Sequence, residues 1–382
     1  MFFSLPVLMY HSISRFKSGL CVPPESFDVH CKTLTDAGWR GISLLEAEDY
    51  FLKKRRLPRK TCLFTFDDGY LDNYVHAEPI LRRYGHQGIL FPVAECLNTE
   101  SVLRPNADDL GATPDRAKEL PDLDLRAGVK RAGALVSQTI FCSWREVVHM
   151  HHNGVLAAAP HSLRHDRVVR SLEYSNLCRP AGKRGFFSVP PYPVLWGMPA
   201  FDLGHFLASP GYTLAPELFE LIKNMVPQGW NEAKAFLAKE ENRQAVQAAV
   251  GQLPCLGVRE TEPDYRARIF QEFVRCRDIF TEKLGTPPVS FCWPWGRYSA
   301  IALEEAKRAG FRVFFTTERG ANRRGGALSV RRISVRNWSS DLLMQKVSLA
   351  ANAALEEPYG WWAKLYQTKA ARQFRQYIRS RF

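Results

Sequence analysis

Asp67 and Asp68 close the run Thr65-Phe66-Asp67-Asp68-Gly69, and far downstream His161 and His165 stand four positions apart in His161-Ser162-Leu163-Arg164-His165. Two carboxylates and two imidazoles are the donors of a hydrolytic metal centre. One carboxylate with both imidazoles holds a divalent ion and leaves positions open for water and substrate, as a catalytic ion requires. The other carboxylate is then free to act as a base on the attacking water. Taken singly, each signal has a plainer meaning. Asp-Asp-Gly is commonly just a turn, because Asp and Gly favour turns for hydrogen-bonding and positive-φ reasons. A lone His-x-x-x-His is commonly a surface pair on a helix.

The elements that must carry these residues can be read from pattern. Cys62-Leu63-Phe64-Thr65-Phe66 is short, rich in β-forming residues and bounded by Lys60 and Gly69, so it reads as a buried strand with both aspartates at its carboxyl end. That is where α/β barrels keep their chemistry. Consecutive strand residues point to opposite sides, so Asp67 and Asp68 can serve one site only where the strand breaks, and Gly69 permits a break. His161 and His165 would lie one helical turn apart on one face. Around them we expect strand 5–10, helices 24–38 and 44–54, helix 70–84, strand 89–93, helix 143–152 and strand 155–159. Helix 262–284 ending at Gly285, strand 289–293, helix 299–309 and strand 311–316 complete the series. Alternating strands and helices indicate a parallel α/β sheet.

At these residues the chain resembles the polysaccharide deacetylases of the NodB-homology fold, carbohydrate esterase family four. Thr65 to Gly69 is similar to that family's first motif, His161 to His165 to its second, and Phe291-Cys292-Trp293-Pro294-Trp295-Gly296 to its third. The opening Pro6-Val7-Leu8-Met9-Tyr10-His11 resembles the poly-N-acetylglucosamine deacetylase branch, and 310–320 and 332–335 also look familiar. The resemblance implies a distorted, partly open (β/α) barrel, here with a long insertion and a C-terminal basic helix. It implies that Asp68, His161 and His165 hold a divalent metal, zinc or else iron, cobalt, nickel or manganese, with Asp67 as general base. It also implies a backbone N–H of Trp295 at the oxyanion. Tyr10, Trp293 and the face of Trp295 are candidate sugar contacts. Two features depart from the family pattern. All ten histidines lie at or before His205, so no late histidine exists to protonate the leaving amine; the resemblance to the poly-N-acetylglucosamine branch, where the N-terminal Tyr-His supplies the acid, implies His11 as the candidate acid. Cys292 stands where an arginine normally pairs with the base aspartate, and Arg332 is the candidate substitute. The plainer alternatives are a buried structural histidine for His11 and a structural salt bridge for Arg332.

Composition is that of an ordinary globular protein, 46% apolar and 24% charged over 382 residues. The odd count of nine cysteines, with no Cys-x-x-Cys, suits a reducing compartment. The first residues lack a positively charged leader and no stretch approaches a membrane span, so a cytoplasmic location is expected. The net charge is +13, and residues 358–382 hold Lys364, Lys369, Arg372, Arg375, Arg379 and Arg381 with no acidic residue. Interleaved with aromatic residues at helical spacing, they read as an anchor on an anionic membrane surface or as a helix packed on the barrel. No nucleic-acid module is recognised, so no nucleic-acid partner is expected. We divide the chain into a catalytic domain, 1–353, with insertions 97–139 and 167–259, and a basic aromatic helix, 354–382. Tyr192, Trp196 and Trp230 of the second insertion could stack on sugar rings or form its own core. His149, His151 and His152 near a helix C-terminus read as structural.

The expected function is a metal-dependent N-deacetylase acting on an amino-sugar saccharide of a surface-glycan pathway, in nucleotide- or lipid-linked form at the inner membrane face. The alternatives are deformylation or another deacylation of a lipid-linked amino sugar, and a non-catalytic glycan-binding protein of the same fold.

Overall fold

The computed structural model describes residues 3–16, 18–99, 103–111, 120, 130–131, 134–135, 140–179 and 192–354. Its centre is strand β3 (Thr61–Asp68), all eight residues of which are buried. Burial on both faces is what a near-continuous apolar run means in a parallel sheet. β3 pairs in parallel with β1 (Val7–Tyr10), with the short β2 (Arg40–Gly41) and with β4 (Gly88–Pro92). A short antiparallel ribbon, β5 (Lys130–Arg131) and β6 (Ala134–Leu135), stands apart from this sheet. β7 (Leu156–Ala158) extends the sheet beyond β4, and its opposite edge beyond β1 is the last strand in the chain, Ile333–Ser334.

The pleat sorts side chains into two cores. Val7, Leu63, Ile89, Phe91 and Ala159 face the barrel interior, whereas Leu8, Tyr10, Phe64, Phe66 and Leu90 face the surrounding helices. The outer core is built with α1 (Pro24–Asp36), α3 (Glu78–Arg83) and α4 (Trp144–His152). The interior receives Ala47, Tyr50 and Phe51 from α2 (Leu44–Phe51), which starts on a capping box in which the Ser43 hydroxyl accepts from Glu46 N–H and the Glu46 carboxylate accepts from Ser43 N–H.

The expected helix 70–84 carries a π turn over Asn73–Ala77 before α3. Pro79 has no N–H to give the Val75 carbonyl, which instead accepts from Ala107 N–H at 3.0 Å.

The second insertion forms an antiparallel sheet of β8 (Arg167–Ser171), β9 (Asp202–His205), β10 (Tyr212–Leu214) and β11 (Gly257–Arg259), in the order β11-β10-β8-β9. Among the described residues three helices accompany it: α5 (Pro216–Met225), α6 (Trp230–Ala238) and α7 (Glu240–Gly251). α6 and α7 are separated by a break at Lys239, and Arg243 caps α6 by donating to the Leu237 and Ala238 carbonyls at 2.7 Å each. This unit has its own apolar core, which includes Tyr192 and partly Trp196; Trp230 meets Trp196 edge-on at 5.6 Å and is 49% exposed.

α8 (Glu262–Leu284) ends on a left-handed Gly285 and leads into β12 (Ser290–Cys292). Then come α9 (Ala300–Arg308), β13 (Val313–Phe315), β14 (Ile333–Ser334) and α10 (Ser340–Ala350). β12 and β13 pair with each other and complete an irregular ring. Cys292 N–H reaches the Pro160 carbonyl after β7 at 2.9 Å, and Val330 bridges Phe315 just before β14. The barrel is therefore distorted rather than evenly hydrogen-bonded, as expected. Most of the first insertion, and the basic run 358–382, lie outside the described residues.

Candidate active site

The strand ends converge at one rim. Asp67 faces inward with Thr65 and Leu63, and the turn that brings Asp68 to the same side begins at Asp68 itself (φ 74°) and continues through Gly69 (φ 78°). A Cβ on Gly69 would lie 2.7 Å from Pro92, so close approach as well as backbone conformation demands glycine there. A left-handed aspartate costs about 1–2 kcal/mol, and such strain collects at sites where function needs the geometry.

His161 and His165 do not share a helix face, contrary to expectation. They occupy a loop with left-handed Ser162 (φ 71°) and His165 (φ 54°). The loop follows Pro160, and its backbone groups are taken by neighbours before a helical turn can close. His161 N–H donates to Pro92 O (3.1 Å), Leu163 N–H to the Glu272 carboxylate (2.8 Å), and the Ser162 and Leu163 carbonyls accept from Ala94 and Glu95 N–H. The consequence for the two imidazoles is nonetheless the one expected of a ligand pair. Nε2 of His161 lies 3.7 Å, and Nε2 of His165 3.8 Å, from the same Asp68 oxygen. Donors each about 2.1 Å from one ion stand roughly 3 to 4 Å apart, so this set fits a divalent cation.

The electrostatics agree with that fit. Nδ1 of His161 bonds the Cys292 carbonyl at 2.9 Å; a carbonyl can only accept, so Nδ1 carries the proton and Nε2 keeps a lone pair toward Asp68. Burial pushes the His161 pKa down to about 4, which keeps the imidazole neutral as a ligand must be. Burial, and then the charge of Asp67, push Asp68 up to about 8. A carboxylate so reluctant to ionise, beside the neutral His161 imidazole, is a place where a cation relieves an unfavourable field.

Asp67 is paired differently. Arg332, fully buried, donates to both of its oxygens at 2.6 and 2.8 Å, and also to Thr316 O and Thr65 Oγ1. Burial pulls the Asp67 pKa upward, yet Arg332, His161 and His11 outweigh it and hold the carboxyl down at about 2. The arginine expected to take over from the position of Cys292 therefore does so, and the Cys292 thiol sits 3.1 Å from its guanidinium. Nε2 of His11 is 4.0 Å from Asp67 Oδ2. Burial lowers the His11 pKa and Arg332 adds to that, while Asp67 raises it.

Of the candidate sugar contacts, Tyr10 and Trp293 are corrected. Tyr10 is 1% exposed, pairs in register with outward-facing Phe66, and packs against Phe27 on the helix side of the sheet. Trp293, 0% exposed, stacks between Tyr298 and Phe314 under α8 and α9. Alternation decides both: Tyr10 pairs with Phe66, one step from inward-facing Asp67, and Trp293 is one step from inward-facing Cys292, so both follow the outward pleat. Trp295 comes after the strand, in a left-handed turn (φ 54°), and lines a pocket with Ser162, Asp166, His205 and Arg297. Its ring centroid lies 3.9 Å from that of His165. Sequence reasoning passed over Glu272 and His205, both remote in sequence from every motif and recognisable only once the loop and the insertion are placed.

No family model matches the chain. It is 41% identical, over 93 residues that make up 24% of this chain and 33% of the relative, to the Bacillus subtilis protein YxkH, which carries the name of a polysaccharide deacetylase. It is 20% identical over 304 residues, 80% of this chain and 32% of the relative, to the poly-beta-1,6-N-acetyl-D-glucosamine N-deacetylase of Escherichia coli. The chain spans about a third of the length of these curated relatives. A solved de-N-acetylase from Aggregatibacter actinomycetemcomitans superposes with a TM-score of 0.58 at 18% identity, covering 90% of this chain and 99% of that one. The fold is therefore that of the polysaccharide deacetylases, and the resemblance carried by the three motifs holds along most of the chain.

Proposed function

We propose that this chain is a metal-dependent hydrolase that removes the N-acetyl group from an amino sugar of a surface polysaccharide or of its precursor. The observation that carries the reading is the convergence of Asp68, His161 and His165 on one point, with Asp67 beside them on its own buried arginine. Asp68, His161 and His165 would hold the ion, zinc by donor set with iron, cobalt, nickel or manganese as other fits, and the ion would polarise the amide carbonyl and acidify water to a pKa of about 7.

The chain's own residues supply the rest. Arg332 keeps Asp67 ionised and aims it, so Asp67 receives the proton of the attacking water. His11 Nε2, 4.0 Å away, is placed to take that proton on and deliver it to the leaving amine as the carbon–nitrogen bond breaks. Because burial depresses its pKa, His11 carries a proton acquired during turnover rather than one stored at rest. The backbone N–H of Trp295 is the proposed donor to the carbonyl oxygen as charge develops. A nucleotide- or lipid-linked sugar at the inner membrane face is the form of substrate that the basic, aromatic run 358–382 supports.

The test is acyl release by the metal-loaded chain from N-acetylglucosamine oligomers, from nucleotide- and lipid-linked N-acetylamino sugars, and from their N-formyl counterparts. Acetate release that falls at least about a hundredfold in Asp67→Asn with metal retained supports the reading. Faster formyl release would move it to a deformylase, and release of neither would leave a glycan-binding protein.

A further inference from the structure

β8 begins at Arg167, two residues after His165, and the cross-strand partner of Arg167 in β9 is His205. Directly opposed residues of an antiparallel pair face the same side of a sheet. Here that side meets the indole of Trp295: the Arg167 guanidinium carbon is 4.7 Å from the ring centroid, and the His205 ring centroid is 4.6 Å from it. His165 touches the same indole at 3.9 Å. One aromatic ring is thus shared between a residue of the metal-binding loop and two residues of the insertion.

The turn bearing that ring needs holding. Trp295 is a non-glycine residue at φ 54°, a left-handed conformation that residues with a Cβ disfavour. Gly296 follows at φ 66°, with Thr317 so close that a Cβ would clash with its backbone nitrogen at 2.6 Å. Thr317 Oγ1 donates to the Trp295 carbonyl at 3.3 Å, and the ring contacts hold the indole itself.

We propose that His205 and Arg167 are positioning residues that clamp the Trp295 turn against His165, so that the insertion sheet completes the active site instead of standing beside it. This rests on the reading of Trp295 N–H as the oxyanion donor. His205 is not placed for proton transfer. Among the described residues its buried Nδ1 has no hydrogen-bond partner. Burial, with Arg167, Arg297 and Arg170 nearby, pushes its pKa down to about 4, so the ring is neutral at neutral pH. A neutral imidazole without a hydrogen bond on that nitrogen is held by packing on the indole, which is what a clamp requires.

The experiment compares His205→Ala, His205→Phe and Trp295→Phe in the metal-loaded full chain by near-ultraviolet circular dichroism, metal content, kcat and KM. The Trp295→Phe difference spectrum identifies the Trp295 signal. His205→Ala should lose that signal and lower kcat about ten- to a hundredfold, with KM within about twofold and metal content unchanged. His205→Phe, which restores a ring but no titratable nitrogen, should recover both. A wild-type Trp295 signal and kcat in His205→Ala would overturn the proposal, and so would a His205→Phe variant that recovers the signal but not kcat. Should no substrate turn over in any variant, the deacylase reading fails while the Trp295 signal still decides the clamp. Should His205→Ala not fold, Arg167→Ala is read by the same criteria.

Discussion

Arg332 is the residue on which the charge of Asp67 depends. Breaking a buried bidentate pair costs about 3–5 kcal/mol, because one charge is left without its partner. Arg332→Gln should therefore destabilise the fold and raise the Asp67 pKa, since the burial that pulls it upward remains. A base with a higher pKa is protonated at higher pH, so the acid limb of the kcat/KM profile should move to higher pH; an unmoved limb would separate Asp67 from that limb. Arg332→Lys keeps the charge but not the fork, so its limb should move less while kcat still falls. His11→Ala should lower kcat about a hundredfold or more at unchanged metal content, and full activity after that change would remove His11 from the proton path. At this scale the two aspartates, His161 and His165 were legible because motif spacing carries them, and Arg332 only through the resemblance of segment 332–335. Tyr10 and Trp293 adjoin His11 and the Trp295 turn in sequence, but the pleat turns both side chains away from the rim.

Among elements, α8 acts at a distance through Glu272. This carboxyl is almost fully buried and accepts Leu163 N–H in the middle of the histidine loop. Burial pushes its pKa up to about 7 from a model-peptide value of 4.5. The native state therefore binds more protons than the unfolded chain between about pH 4.5 and 7, and stability falls as pH rises through that window. Glu272→Gln keeps an acceptor for Leu163 without the titration. It should match the wild type near pH 4.5 and exceed it at pH 8 in thermal melts, with metal still bound; equal pH dependence in the two proteins would show that Glu272 is not the group responsible. Glu272→Ala should instead weaken metal binding, because the loop loses a tether. Strand β3 was readable from its continuous run of apolar, β-forming residues, and helix α8 from its Gly285 stop. The histidine loop was not, since its conformation is set by hydrogen bonds to Pro92, Ala94, Glu95 and Glu272, none of which leaves a periodic trace in 161–165. Pro79 was a visible warning of the π turn.

At the scale of the molecule, the parallel sheet points its strand ends at one rim, and everything distinctive about the site follows from which residues stand there. β1 delivers His11, β3 both aspartates, the segment after β7 both histidines, the turn after β12 Trp295, and the segment before β14 Arg332. That order was recoverable from alternating strands and helices. The antiparallel insertion sheet was not, because its strands are short and its pairing with the rim runs through side chains such as Arg167 and His205. The central claim is that this rim holds one catalytic metal ion, and elemental analysis joined to acetate release tests it most directly. We predict about one divalent metal per wild-type chain, and loss of both metal and acetate release in an Asp68→Ala, His161→Ala double variant. Equal metal content in wild type and double variant, or acetate release that survives the loss of metal, would contradict the account.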